Sequence, residues 1–313
     1  EAAGAPRPAA VQTRFRVLFD SLAVYVGVEC DEPRLQSLAR RYSGHDQEVY
    51  ADDCVELFLD PAGEGRYYHH FIVNVNGAWY DDYTADYGLA HAKLWDCPLR
   101  TAVATDAQAR VWRVEVAIPL AGLHLAADAG RVWLWNVTRQ RQAGGQTELS
   151  TWSPLKGNFH LPRLFGRLEG VAVPYERYTV HVEAPQAAVA EGAGGQRELR
   201  LQVPLANHGR QGRHVVLAAE HFPDPATQGR SAPVDLPARA SRTVALPALV
   251  VPRDQAEARV QFTVLDAADH APVAIAVKRL PAEYRPVAVS VVEPTYRNSI
   301  YATEQIAQIR FRV

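Results

Sequence analysis

The chain has 313 residues, with 33 Lys and Arg against 35 Asp and Glu, a formal net charge of -2 and a pI near 6.6. That balance offers no basic field for nucleic acid, and no run of roughly 18 apolar residues marks a membrane-spanning helix. A hydrophobic fraction of 48% can bury a normal core, and the length allows two domains and part of a third. Cys30, Cys54 and Cys97 are too few for a disulfide framework and lack metal-ligand spacing. One Cys30–Cys54 bridge and buried free thiols both remain open. A chain that starts at Glu1 and has no Met reads as a mature or trimmed product.

In chain order, residues 1–11 are rich in Ala and Pro and predict an arm or linker. Two strands follow within 15–29, meeting at Asp20-Ser21, and a polar stretch over 32–48 holds a short helical turn at 33–38. The centre of the chain is residues 50–80. There Cys54-Val55-Glu56-Leu57-Phe58-Leu59 alternates and runs into the turn Asp60-Pro61-Ala62-Gly63. The aromatic and β-branched run over 68–75 ends at Asn76-Gly77, so the pair predicts a hairpin. Residues 80–96 carry Asp81, Asp82, Tyr83, Asp86 and Tyr87 and predict a long loop. Strands are expected at 100–105, 111–118 and 131–139, the last with Trp133 and Trp135 on one face, and 165–173 closes the domain.

From Pro174 onward the composition shifts to short alternating strands, as at 198–203, 214–218, 241–246 and 258–264, separated by Gly-, Pro- and Asp-rich turns. Asn207-His208-Gly209 after a strand resembles bacterial immunoglobulin-like or fibronectin-like modules. Two further strands at 287–292 and 305–313 predict the start of another domain or a strand donated to a second copy.

The string Asp52-Asp53-Cys54-Val55-Glu56-Leu57-Phe58-Leu59-Asp60-Pro61 closely resembles the core motif of the family 9 carbohydrate-binding modules and their DOMON-like relatives. Four colinear stretches extend the resemblance: Arg16-Val17-Leu18-Phe19-Asp20 with Leu22-Ala23-Val24-Tyr25-Val26, then Phe71-Ile72-Val73-Asn74, then 112–119, then Thr151-Trp152-Ser153-Pro154 leading to 159–166. The family's usual opening strand, before the first of these, is missing. The implied fold is all-β, as tandem sandwiches: a family 9-like domain over 12–173, an immunoglobulin-like domain over 174–284, and a partial β element over 285–313.

The family clamps a sugar ring between two aromatic side chains, because a pyranose has an apolar C–H face as well as hydroxyls that need directional partners. Carried over by position, the clamp falls on Tyr50 and Phe159 and the polar groups on Glu56 and Asn74. Better characterised members use Trp in the clamp and an Arg where this chain has Ile72, and Ile cannot replace a planar charged donor. His69, His70, Arg139, Arg141 and His160 are candidates to compensate. The family often carries structural Ca2+, for which Asp81, Asp82 and Asp86, or Asp46, Asp52 and Asp53, are the carboxylate sets. Trp112, Trp133 and Trp135 are expected in the core, Trp152 in the framework, and Trp79 and Trp95 at an exposed rim. Glu56 and Glu115 are not paired by any local motif for glycosidase chemistry, and no nucleophile or phosphate-loop motif occurs. The expected role is extracellular, non-catalytic glycan binding. The alternatives are a surface-layer or filament subunit built by strand exchange, and an accessory region of a larger polysaccharide-degrading enzyme.

Overall fold

The computed structural model describes residues 7–85, 90–92, 95–125, 131–145, 147–155, 158–192, 196–223, 228–283, 290–293 and 310–312. The described residues are almost all in β-structure and form tandem β-sandwiches. The first uses β1 (Thr13–Phe19), β2 (Ala23–Asp31), β3 (Cys54–Asp60), β4 (Tyr68–Asn74), β5 (Trp79–Ala85), β6 (Ala90–Ala92), β7 (Arg100–Asp106), β8 (Val111–Pro119), β9 (Trp133–Arg141), β10 (Glu148–Thr151) and β11 (Gly166–Leu168). One sheet runs β1-β2-β8-β7; the other runs β10-β9-β3-β4-β5-β6, with β11 also on β9. The second sandwich has β12 (Val180–Val182), β13 (Gln186–Glu191), β14 (Arg197–Asn207), β15 (Arg213–His221), β16 (Gln228–Arg230), β17 (Val234–Leu236), β18 (Ala240–Val251), β19 (Glu257–Asp266) and β20 (Pro272–Pro281). A last pair, β21 (Ser290–Glu293) and β22 (Arg310–Arg312), is antiparallel within the same chain.

Every residue of β3 and β4 is buried, whereas β1, an edge strand, alternates between half-buried and exposed. The expected hairpin is these two central strands. Asp60 shapes their connection: its carboxylate accepts the backbone N–H groups of Ala62, Gly63 and Gly65. Gly63 sits at φ 69°, where a Cβ would lie 2.8 Å from the Val132 carbonyl, so this turn requires glycine. Between the sheets lies one apolar core, in which Trp112, Trp133 and Trp135 are fully buried.

One expectation needs correction, and one open question is resolved. The stretch predicted as a long loop holds β5 and β6. Asp is a poor strand former, yet Asp81 and Asp82 are buried in β5 against polar partners that outweigh that preference. All three cysteines are free. Cys30 faces the inter-sheet core while Cys54 lies under Val49 on the opposite face of the second sheet, so no bridge can join them.

Candidate functional site

Strand alternation gives the seven-stranded sheet two different faces. Val55, Leu57, Phe71 and Val73 point into the core, and their neighbours Glu56, Phe58, His70 and Ile72 occupy the outer face. Loops cover that face at two places. The 3-10 turn Val49–Ala51 closes over Cys54 and Ile72, and the segment carrying Leu155, Phe159 and Phe165 closes over Phe58 and Tyr68. Between these covers lies a cleft of about 620 Å³, with Tyr50, Glu56, His70, Asp82, Gln140 and His160 among its lining.

The floor of the cleft is a hydrogen-bonded polar row. His70 Nε2 lies 2.7 Å from Glu56 Oε2, and its Nδ1 lies 3.6 Å from Asp82 Oδ2. Gln140 donates to Glu56 Oε1 at 2.7 Å; Thr84 and Tyr80 donate to Asp82. Burial alone would push the His70 imidazole down, but the two carboxylates win and hold it up at about 9. His70 is therefore an imidazolium at neutral pH, stacked on Phe58 with ring centroids 4.3 Å apart. Tyr50, 44% exposed, supplies an open aromatic face at the cleft edge.

The second sandwich forms another part of the wall. Arg259 and Arg279 are cross-strand partners on β19 and β20, and both line the cleft. Their guanidinium groups lie 2.8 and 3.2 Å from Asp46 Oδ2, and Arg259 donates to His45 Nδ1 at 3.0 Å. His45 Nε2 in turn lies 2.7 Å from Asp81. Burial pushes Asp81 up to about 7 despite that hydrogen bond, and the nearby charge of Asp96 adds to the rise. Phe222 of the second sandwich meets the His45 ring edge-on at 5.1 Å.

The sequence-derived site residues separate into three environments. Tyr50 and Glu56 line the cleft together, as do His70 and His160. Phe159 packs edge-on against Phe58 at 6.4 Å, and the neighbouring His160 takes the cleft-facing position. Asn74 is fully buried and spent on the loop. Its Nδ2 donates to the Tyr42 carbonyl and Asp52, and its Oδ1 accepts the N–H groups of Asn76 and Ala78. Arg139 and Arg141 clamp Glu32, and His69 faces away from the cleft toward His124 at 3.3 Å.

Trp79 and Trp95, expected at an exposed rim, are half-buried against the core, and Trp152 is the exposed indole at 49%. Trp79 and Trp95 border the seam with the second sandwich, against His45 and His69 respectively, which sequence periodicity does not reveal. Gln140 and Tyr80 were missed. Extending the β9 alternation by one residue would have found Gln140. No signal in the sequence brings Arg259 and Arg279 to this site.

The carboxylates considered for calcium are engaged by N–H donors and guanidinium groups. Asp52 accepts the backbone N–H of Arg41 and Tyr42; Asp53 accepts those of Ala39 and Gln142. Asp46, Asp81 and Asp96 share the His45 cluster, in which Asp46 and Asp96 face Arg259 and Arg279 and Asp81 is bonded to His45. Two resident cations there oppose a dication, so this donor set does not fit calcium. Asp86 lies outside the described residues.

The chain is thus a tandem β-sandwich protein with a polar, aromatic-edged cleft on the outer face of one sheet. The chain belongs to the carbohydrate family 9 binding domain-like family, whose profile matches residues 2–171. It is similar to a family 9 carbohydrate-binding module from Caldicellulosiruptor kristjanssonii in complex with cellotriose, with 20% identity, 52% of this chain and 76% of that chain covered, and a TM-score of 0.38. The same module in complex with glucose matches at 20% identity over 52% of this chain and 78% of that one, with a TM-score of 0.38. A β-glucuronidase from Bacteroides uniformis matches at 9% identity over 85% of this chain and 27% of that chain, with a TM-score of 0.29. Among curated proteins, none matches.

Proposed function

We propose that the chain binds a glycan without chemically altering it, in the cleft between Tyr50 and His160, outside the cell. The observation that carries this reading is the pairing of an open aromatic face with a fixed polar row. Tyr50 offers a surface for the apolar side of a pyranose, and Glu56, Asp82 and Gln140 offer acceptors and donors for its hydroxyls. The row is held by its own hydrogen bonds before a ligand arrives, which lowers the ordering cost of binding.

Of the carboxylates that line the cleft, Glu56 and Asp82 flank one imidazolium and Asp46 is paired with Arg259 and Arg279, so none of these three is placed as a free acid beside a free nucleophile. That pairing favours binding over hydrolysis. Asn74 and Phe159 contribute by holding the loops that shape the cleft.

Calorimetric titration against a panel of mono- and oligosaccharides tests the reading, with Tyr50→Ala and Glu56→Gln alongside. Saturable binding that weakens at least tenfold in both variants is the expected result. Absence of binding across the panel, or binding unchanged in both variants, would remove it. Surface labelling of intact source cells tests the location; protection of the protein from an impermeant reagent would contradict it.

A further inference from the structure

A second group of metal-ligating side chains lies on the immunoglobulin-like sandwich, away from the cleft. His181 is the outward residue of β12 between buried Val180 and Val182, and Glu183 follows two positions later. His208 comes directly after β14, whose Asn207 and Ala206 pair with Val180 and His181. The residue directly across from His181 is thus the small Ala206, which leaves room above the strand for the His208 ring. The two imidazole rings stand 4.6 Å apart, and His208 Nε2 is 3.9 Å from Glu183 Oε1. One ligand atom from each of the three residues falls within 4.8 Å of the others.

We propose that His181, Glu183 and His208 form a binding site for a borderline divalent cation, Zn2+ being the chemical type. Two imidazole nitrogens and one carboxylate suit Zn2+, whereas calcium and magnesium require shells made mostly of oxygen. Ligand atoms around a tetrahedral zinc lie roughly 3 to 3.5 Å apart, so small side-chain rotations close the observed spread.

All three residues are exposed, so an ion has an entry path. Beside them the domain seam opens a groove of about 350 Å³, which His124 and Lys278 also line.

The other His-carboxylate cluster makes the contrast. His45, Asp46, Asp81 and Asp96 already face two guanidinium groups. The His181 cluster shows no arginine or lysine ion pair among the described residues. A zinc ion there would tie β12, the strand that enters the second sandwich from the first, to the end of β14.

The test is titration of the untagged full chain, stripped with chelator, with ZnCl2 alone, and then with CaCl2. The expected result is one saturable Zn2+ per chain and no saturable Ca2+ response at this site. His181→Gln and His208→Gln should each weaken Zn2+ binding at least tenfold, and His214→Gln, which alters another exposed histidine on the same sandwich, should leave it unchanged. Melting temperatures without metal confirm that the variants fold, and the Co2+ absorption spectrum of the wild-type chain reads the coordination directly. No saturable zinc binding, or binding that survives both variants, overturns the site. This outcome is independent of any sugar titration.

Discussion

The two sandwiches share a two-sheet architecture and an apolar core, but they differ in what they bury with it. The first encloses Glu32, Asp52, Asp53, Glu56, His70, Asp82 and Arg139 among other polar groups; among the described residues of the second, only Thr179 and Asn207 are buried and polar. Burying such groups is unfavourable unless each finds a partner. In the first sandwich these seven side chains are partnered, through the Glu32–Arg139–Arg141 clamp, the Asp52 and Asp53 loop anchors and the Glu56–His70–Asp82 row. In the second, Asn207 is a single latch, donating to the carbonyls of Gln211, Leu236 and Pro237 and accepting the Gly209 N–H. A sandwich that must present a fixed polar surface needs an internal polar skeleton. One that spaces or supports needs little more than its apolar core.

The comparison breaks most sharply at Glu32. Glu32→Ala leaves Arg139, only 1% exposed, without its carboxylate, and should cost the first sandwich about 3–5 kcal/mol. Urea unfolding followed by the fluorescence of its buried tryptophans reads this loss. The corresponding change in the second sandwich, Asn207→Ala, should cost about 1–3 kcal/mol, because three carbonyls lose a donor at once. Hydrogen exchange of β14 and β17 would localise that effect; equal losses in the two variants would erase the distinction.

Smaller effects sharpen it. Tyr50→Ala should leave both unfolding transitions in place, since the side chain is largely exposed, and remove about 1.4 kcal/mol or more of sugar binding. The pH dependence of the first sandwich should carry the mark of His70. Its folded value of about 9 lies above the ordinary 6.5. The stability it contributes is therefore fully present below about pH 6.5 and is lost as pH rises through 9. Melting temperatures from pH 6 to 10 should fall on the alkaline side, and His70→Gln should flatten that fall. A wild-type profile indistinguishable from the variant's would show that His70 is not held as an imidazolium. Least disruptive is Arg259→Gln with Arg279→Gln, which should weaken sugar binding a few-fold and speed proteolysis between the sandwiches. Unchanged affinity would place the seam outside the site.

Sequence reading reached the central hairpin because it is carried by local signals: period-two alternation at 54–59 and the turns at Asp60 and Asn76-Gly77. Tyr50 and Glu56 came from the family resemblance and not from periodicity, and the structure brings both to one cleft. Sequence reading failed at β5, where Asp81 and Asp82 disguise a strand. Their preference against β-structure is overcome by hydrogen bonds made in the fold, from His45 and the Cys97 N–H to Asp81 and from Thr84 and Tyr80 to Asp82. It also assigned Asn74 to the ligand. The residue does sit on the correct face, but its hydrogen bonds are claimed by Tyr42, Asp52, Asn76 and Ala78, a fact of loop packing.

By itself, then, the sequence determined the all-β class, the family, the core tryptophans and the strand on which the cleft is built, because alternation, turn chemistry and motif order are local properties of the chain. Tertiary structure alone decided which polar groups share a charge. His70 becomes an imidazolium through Glu56 and Asp82, Arg259 and Arg279 meet Asp46 from more than two hundred positions away, and His208 comes to rest over His181. Electrostatic interaction depends on distance and burial in space, and neither can be read from separation along the chain.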